Sequence, residues 1–599
     1  MCGIYLRICL GIKCEIEHST IDRLNNSANS YRGQDSKSEI LESGLFLGFH
    51  RLAIQDLATG EQPYVFSQSI SAINGELYNK LEVLNRIGLN QEHDNLSDMQ
   101  ILARAIDLFG LEALRMARGQ FAGFLLSRSD RKAYLFRDRF GEKPLFYSLG
   151  NDHLLVSSTA NLVHSKGWAN PEPADLLVGY LVREELGYMA EVPPGTLIEI
   201  QLDSLSQVSH TFFSEREVVS QCQVKNLSNQ RHFASLFEDA VLESLISDVP
   251  VSLLFSGGID STAIAVALKK LGVNSVTAFT LSFLDEAFDE SQYAKHIASK
   301  IDLAHKQVSL NYEEVAFMIP RILQFMDIPI FDTSAISLFA LSQQVSKEFK
   351  VGISGDGGDE LFRGYSLHTN YRAIATLSVV RELQPILTPI LHLLSALLPS
   401  RGYNNSRFKL ERVNATLIGL NHGVGIKLAL SPLAGTPLLQ KLLDSANKEF
   451  ISDERGQPMM DSVDQLYREN IFPKVYLVKS DRMGMANGLE IRTPMLHPNL
   501  IGFSRENYPR KSNRHGKSEL YDYCISEIPQ ALVRRTKHGF SFPVSRLLKY
   551  LAEPEWNIPF LKAELEIVSR IWKRGKLGHV NSAIAAWSLL VTNHFFTRD

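Results

Sequence analysis

Through roughly the first third of the chain, apolar positions fall in short runs with a period near two: Leu45 to Phe49, Ser71 to Asn74, Phe121 to Leu126, Ala133 to Phe136 and Leu154 to Ser157. The apolar stretch from Ile4 to Ile12 reads as a first strand, and helical periodicity is concentrated between Asp98 and Leu114. Many strands with few helices predict sheet layers under a helical cover. Between Phe212 and Gln230 the chain turns polar and predicts a connector. From Val249 onward, strands alternate with helices: Val251 to Phe255, a helix ending before Gly272, Ser275 to Phe283, a helix from Asp289, and Lys306 to Leu310. That alternation predicts a parallel sheet flanked by helices. After a strand at Val351 to Ser354 the remaining segments read mostly as helix. The most apolar of them, Ile386 to Leu398, is interrupted by Pro389 and His392 and falls short of the roughly 20 residues that span a bilayer, so a buried helix is expected. The division is therefore a first domain over 2–212, a connector over 213–230 and a second domain over 231–599.

Composition narrows the function without choosing it. A chain of 599 residues exceeds what one core usually organises. A net charge of -4 supplies no basic field for nucleic acid or an anionic membrane, so neither is an expected partner. The five cysteines (Cys2, Cys9, Cys14, Cys222 and Cys524) lack metal-ligand spacing and are too few for a disulfide framework, which favours a reducing compartment. No basic leader precedes the first apolar run, and the cytoplasm is the default location.

Three places carry candidate chemistry. Removal of Met1 would leave Cys2 with a thiol and a free α-amine, and an amine titrating near pH 8 suits the role of base toward that thiol. Alone, Cys2 reads more readily as a small apolar residue of an edge strand. Ser256-Gly257-Gly258-Ile259-Asp260-Ser261 follows an apolar strand and opens a helix, as an anion nest does: its backbone N–H groups and hydroxyls would wrap a polyphosphate, with Asp260 toward a Mg²⁺ ion. It lacks the Gly-x-x-x-x-Gly-Lys pattern of γ-phosphate transfer. A second acidic loop, Ser354-Gly355-Asp356-Gly357-Gly358-Asp359-Glu360, also follows a short strand.

The ordered set Arg32-Gly33-Gln34-Asp35, His50-Arg51-Leu52, Asn74-Gly75-Glu76-Leu77-Tyr78-Asn79, Ser97-Asp98 and Arg137-Asp138-Arg139-Phe140-Gly141 behind Cys2 resembles the class II glutamine amidotransferase domain. The resemblance implies a four-layer αββα Ntn-type sandwich. In it Cys2 is the nucleophile, Asn74 and the Gly75 N–H form the oxyanion hole, and Arg51, Leu52, Ile54, Glu76 and Asp98 hold glutamine. Together with the two loops, Lys479 to Met483, Gly488 to Pro494 and Arg535 to Phe540 extend the likeness, and the whole chain resembles the glutamine-hydrolysing asparagine synthetase family of the B type. That implies an α/β ATP-pyrophosphatase domain with a helical C-terminal part. ATP would lie on Leu254, Ser256, Gly257, Gly258, Asp260, Ser261, Leu281, Ser354 and Gly355, with Mg²⁺ on Asp260 and Asp359. Lys517 would neutralise the activated intermediate, and Asp356 and Glu360 would serve the acceptor side.

The reaction so implied is hydrolysis of glutamine, passage of ammonia between domains, and amidation of an adenylated carboxylate with release of AMP and pyrophosphate. Aspartate is the default acceptor, and a homodimer is compatible with the family. Arg363, Gly484 and His497 depart from the family's usual residues, so a pathway-specific amidotransferase acting on another carboxylic acid is the alternative. A catalytically silent regulatory protein would release no glutamate. A phosphosugar amidotransferase would lack the Ser256 loop.

Overall fold

The computed structural model describes residues 2–10, 29–42, 44–88, 96–163, 190–214, 229–283, 289–365, 367–368, 381–399, 406–422, 431–445, 463–464, 466–507, 516–533 and 541–597. Two six-stranded antiparallel sheets form the first domain. One runs, in spatial order, Ala190–Glu191, Phe146–Leu149, His153–Ser157, Cys2–Cys9, Leu45–Arg51 and Asp35–Glu42. The other runs Gln207–Thr211, Thr196–Gln201, Lys132–Arg137, Gly119–Ser127, Ser69–Leu77 and Tyr64–Val65.

Strand alternation decides what lies between them. Cys2, Ile4, Leu6 and Ile8 of the first sheet pack against Ile70, Ala72, Phe124 and Leu135 of the second in one buried core. The opposite parity of the second sheet, Ile73, Leu77, Phe121 and Leu125, packs under helix Asp98–Phe109 through Ile101, Leu102 and Ile106. Outside the first sheet, Tyr5, Phe46 and Leu155 pack with Leu162 of the short helix Ala160–Val163. Layers thus follow the order helix, sheet, sheet, helix.

The second domain is built on a five-stranded parallel sheet in the order His305–Leu310, Thr277–Phe283, Val251–Leu254, Val351–Ile353 and Glu490–Arg492. Numbered along the chain, that order is 3-2-1-4-5. Its direction reverses between Val251–Leu254 and Val351–Ile353, and a crevice opens beyond the carboxyl ends at such a switch point. Helix Ile259–Lys270, which follows the first of these strands, is apolar nearly all round and buried in the core beside Phe233, Phe237 and Ala294.

Four expectations are corrected. Strand Cys2–Cys9 is an interior strand, paired to Leu45–Arg51 on one side and His153–Ser157 on the other. Helix Gln384–Leu397, expected to be buried, exposes Ile386 (63%), Leu393 (65%) and Leu397 (77%), because its polar residues and prolines do not confine leucines to one face. Strand Glu490–Arg492 lies in a stretch expected to be mostly helix. Cys9 is disulfide-bonded, although the cysteine count favours a reducing compartment, whereas Cys2 and Cys524 are free and buried. Cys14, Cys222, most of the connector and Arg535 to Phe540 lie outside the described residues. Among the described residues no helix is long and apolar enough to cross a membrane.

Candidate active sites

The first site grows out of the inter-sheet core. Asn74 and Glu76 have the same strand parity as Ile70 and Ala72, so they face the sheet that carries Cys2, which pairs directly with Arg51. The Cys2 backbone nitrogen donates to Asn74 Oδ1 at 2.7 Å. Asn74 Nδ2 is buried without a hydrogen-bond partner, a costly arrangement for a carboxamide unless a ligand oxygen completes it. At Gly75 φ is +153°, and a Cβ would meet the Gln120 carbonyl oxygen at 2.1 Å, so only glycine fits. Burial pushes the Cys2 thiol up, countered by positive charge at the chain terminus and on Arg51, and by a hydrogen bond from the Leu52 backbone. A raised thiol needs a base to become a nucleophile.

Arg51 is fixed at the rim by backbone carbonyls, donating from Nη1 to Leu57 at 3.0 Å and from Nη2 to Asp56 at 2.8 Å. Behind it lie two buried carboxyls. Asp98 heads helix Asp98–Phe109 and accepts from the Leu77 and Met99 backbone N–H groups at 2.9 and 2.7 Å. Glu76 accepts from Gln55 Nε2. Burial, with Glu490 and Asp98 nearby, raises Glu76 to about 8, and burial with Asp56 nearby raises Asp98 to about 6 against the pull of its backbone donors. Acids held this far up would be favoured in their ionised forms by a cation placed beside them. Leu52 and Ile54 belong here by backbone only, since their side chains are packed into the core of the second domain with Val251 and Phe255.

The second site sits at the switch point. Ser256 and Ser261 hydroxyls lie 3.2 Å apart, Gly258 N–H donates to Ser256 Oγ at 3.2 Å, and helix Ile259–Lys270 has no side-chain cap on its first turn. Leu254 and Leu281 lie in the core beneath, on neighbouring strands. From the other side of the switch point, Ser354 Oγ accepts from Asp356 N–H at 3.2 Å. Lys517, buried in a left-handed conformation (φ +62°), donates to Asp260 Oδ2 at 2.8 Å and pairs with Asp359 Oδ1 at 2.6 Å. These two carboxylates hold its ammonium well above the usual lysine range despite burial. Glycines frame the cluster: a Cβ at Gly358 would meet Asp260 Oδ1 at 2.4 Å, and one at Gly364 would meet Asp359 Oδ1 at 2.0 Å. Two carboxylates converging on one cation, in a cradle that side chains would fill, fit a divalent ion beside a polyphosphate. The two acids of the second loop differ. Asp356 is part-exposed and accepts from Ser480 Oγ at 3.0 Å, whereas Glu360 is buried against the Tyr365 hydroxyl and raised to about 8 by burial and Asp359.

Buried charges join the sites. Arg32 forks onto Asp481, Arg482 onto Asp327, and Arg492 of the edge strand pairs with Glu490 at 2.7 Å and lies 3.7 Å from Glu76. Arg32, Asp481, Arg482 and Arg492 lie within the sequence motifs, but the motifs alone assign them no task. Gln55, Asp56 and Asp327 carried no signal, since each is a lone polar residue whose partner is remote or on an irregular turn.

The family model for asparagine synthase matches residues 232–595, more than half of the chain, and one for the glutamine amidotransferase domain matches residues 1–210. The chain belongs to the asparagine synthase family. A putative asparagine synthetase [glutamine-hydrolyzing] of Mycobacterium tuberculosis is 27% identical over 593 residues, covering 92% of this chain and 88% of that protein. Asparagine synthetase [glutamine-hydrolyzing] 1 of Bacillus subtilis is 26% identical, covering 87% and 83%. The asparagine synthetase [glutamine-hydrolyzing] of Gallus gallus is 28% identical over 396 residues, covering 61% and 67%. The chain is therefore that of a glutamine-hydrolysing ligase, with an N-terminal glutamine amidotransferase domain and, behind it, the synthase domain of this family.

Proposed function

We propose that the chain hydrolyses glutamine at Cys2 and uses the ammonia to amidate a carboxylic acid activated by ATP. The observation that carries the glutaminase half is the Asn74 carboxamide, whose oxygen holds the Cys2 nitrogen while its buried Nδ2 is unmatched. Once Met1 is removed, that nitrogen is the α-amine that takes the thiol proton. Cys2 Sγ attacks the glutamine side-chain carbonyl, and the oxyanion receives Asn74 Nδ2 and the Gly75 N–H. The proton returns to the leaving ammonia, and water then cleaves the thioester to give glutamate. Arg51 grips the α-carboxylate, and Glu76 and Asp98 the α-ammonium.

In the synthase domain, the Ser256 loop cradles the ATP phosphates, Ser354 and Gly355 meet the adenosine, and Asp260 and Asp359 hold Mg²⁺, which would neutralise the departing pyrophosphate. Lys517 balances charge on the adenylated carboxylate. Asp356 and Glu360 serve the acceptor side, with Asp356 the more exposed and Glu360 buried against Tyr365. The domain division falls within 213–230, between the two family matches. Aspartate is the default acceptor. One feature favours another acid: Arg363, at φ +51° beside the Lys517 turn, pairs with half-buried Asp464 at 2.8 Å and brings an ion pair to that end of the site.

Cys2→Ala is expected to abolish glutamate release and leave ammonia-driven pyrophosphate release intact; joint loss of both activities would sink the two-site reading. Asp260→Asn is expected to do the reverse. A panel of carboxylic acids, assayed for glutamine-dependent pyrophosphate release, identifies the acceptor.

A further inference from the structure

Four consecutive residues of helix Leu477–Met485 reach in two directions. Lys479 Nζ donates to Asp332 Oδ2 at 3.1 Å and Ser334 Oγ at 2.8 Å, and Ser480 Oγ donates to Asp356, all within the synthase domain. The next two face the other domain. Asp481 receives Arg32 Nη1 and Nη2 at 2.9 Å each, and Arg482 Nη1 at 2.7 Å. Arg482 then forks onto Asp327, whose Oδ2 also accepts from the Ala160 backbone N–H at 2.7 Å.

Arg32 has one further donor in use. Its Nε donates to the carbonyl oxygen of Cys2 at 3.2 Å. The side chains of Arg32, Arg482, Asp481 and Asp327 are at most 2% exposed. A guanidinium forked onto a carboxylate has its plane fixed, so the direction of its Nε–H is fixed as well. Holding the carbonyl of residue 2 together with its nitrogen fixes the orientation of the Cα–Cβ bond, and so the direction in which the thiol enters the pocket, leaving only χ1 to set the thiol against the amine. With the nitrogen on Asn74 Oδ1 and the carbonyl on Arg32 Nε, both ends of the nucleophilic residue are held, and one of the two holds originates in the other domain.

We propose that Asp481 of the synthase domain is a positioning residue for the Cys2 nucleophile of the glutaminase domain, acting through Arg32. This rests on the glutaminase role given to Cys2 above. Loss of the Asp481 fork releases the Arg32 plane, and the Cys2 carbonyl loses its donor. Glutamine binding, made by Arg51, Glu76 and Asp98, is left in place.

The test uses the full chain with Met1 removed and compares the parent with Asp481→Asn, Arg32→Gln, their double mutant and Asp327→Asn. Two quantities are followed: kcat and KM for glutamate release, and the rate of Cys2 alkylation by iodoacetamide, located by peptide mass. Asp481→Asn is expected to lower kcat by about tenfold or more with KM within about twofold, as small misplacements of a reacting group do. The double mutant should be no worse than either single change, since the two residues act as one unit. Asp327→Asn cuts an equally buried pair one step further along the network but spares the Arg32 fork, and should lower kcat by clearly less than Asp481→Asn does. An unchanged kcat in Asp481→Asn, a fall confined to KM, or an equal fall in Asp327→Asn would each overturn the proposal. Should Asp481→Asn fail to fold, Arg32→Lys keeps a cation for Asp481 but removes the Nε donor, and the same kcat loss at an unchanged Tm is expected. If the parent is alkylated at Cys2 yet releases no glutamate, the glutaminase reading fails. The alkylation rate of Asp481→Asn against the parent then decides the positioning role alone: slower supports it, equal overturns it.

Discussion

Glu76 and Asp98 are held up to about 8 and about 6 chiefly by burial, so the ligand-free site carries fewer negative charges near neutrality than two free carboxylates would. An ammonium arriving beside them favours the ionised forms and expels protons. Calorimetry of glutamine with Cys2→Ala near pH 7, in buffers of different ionisation heat, should therefore show net proton release. KM for glutamine should rise below about pH 6, where both acids are protonated. The stability effect has the matching sign. A carboxyl whose folded pKa is raised contributes fully below its unfolded value and loses that contribution as pH rises through the folded one. Without ligand, Tm should fall from about pH 4.5 to about pH 8 and level off as Glu76, Glu142 and Glu360, each raised from 4.5 to about 8, ionise in the folded chain, and glutamine should restore part of the loss. At this scale the sequence carried Cys2, Asn74, Glu76 and Asp98, because each lies in an ordered motif. It did not carry Gln55 or Asp56, which meet Glu76 and Asp98 from a turn with no pattern of its own.

Among elements, legibility followed the clarity of the apolar period. The alternation of Cys2, Ile4, Leu6 and Ile8 specified both a strand and its buried face, and the Val251 and Val351 strands were announced by apolar runs ending in glycine-rich loops. The edge strand Glu490–Arg492 was not legible, since two of its three residues are charged and their burial depends on pairing with each other. Helix Gln384–Leu397 misled in the opposite sense: apolar content implied burial that the packing does not deliver. Replacement of exposed Leu393 by Ser should shift the unfolding free energy by no more than about 0.5 kcal/mol, as surface changes do, whereas a buried leucine would lose about 2 kcal/mol or more. Chemical denaturation distinguishes the two.

At the scale of the whole molecule, Arg492 is a widely shared charge. It pairs with Glu490, donates to the Ser244 and Ile246 carbonyls, lies over the Tyr78 ring at 5.5 Å and faces Glu76 across the domain junction. Arg492→Met should cost about 3–5 kcal/mol, the usual penalty for leaving a buried partner uncompensated. It should also raise Glu76 further, so that KM for glutamine at neutral pH increases while ammonia-driven synthesis survives in whatever fraction remains folded. A parallel loss of both activities in soluble, folded protein would contradict this.

The interior position of strand Cys2–Cys9 imposes an order of events on biosynthesis. Cys2 is only 6% exposed, with its nitrogen against Asn74 and sheet partners along the strand. An aminopeptidase must engage an extended chain end, whereas Cys2 itself is held in the sheet. With Cys2 as the proposed nucleophile, removal of Met1 is therefore expected to precede closure of the two sheets, and the glutamine-using fraction of a preparation becomes a record of how often it did. Overexpression that saturates the processing enzyme should yield protein of normal fold whose ammonia-driven activity is full and whose glutamine-driven activity tracks the processed fraction seen by intact mass.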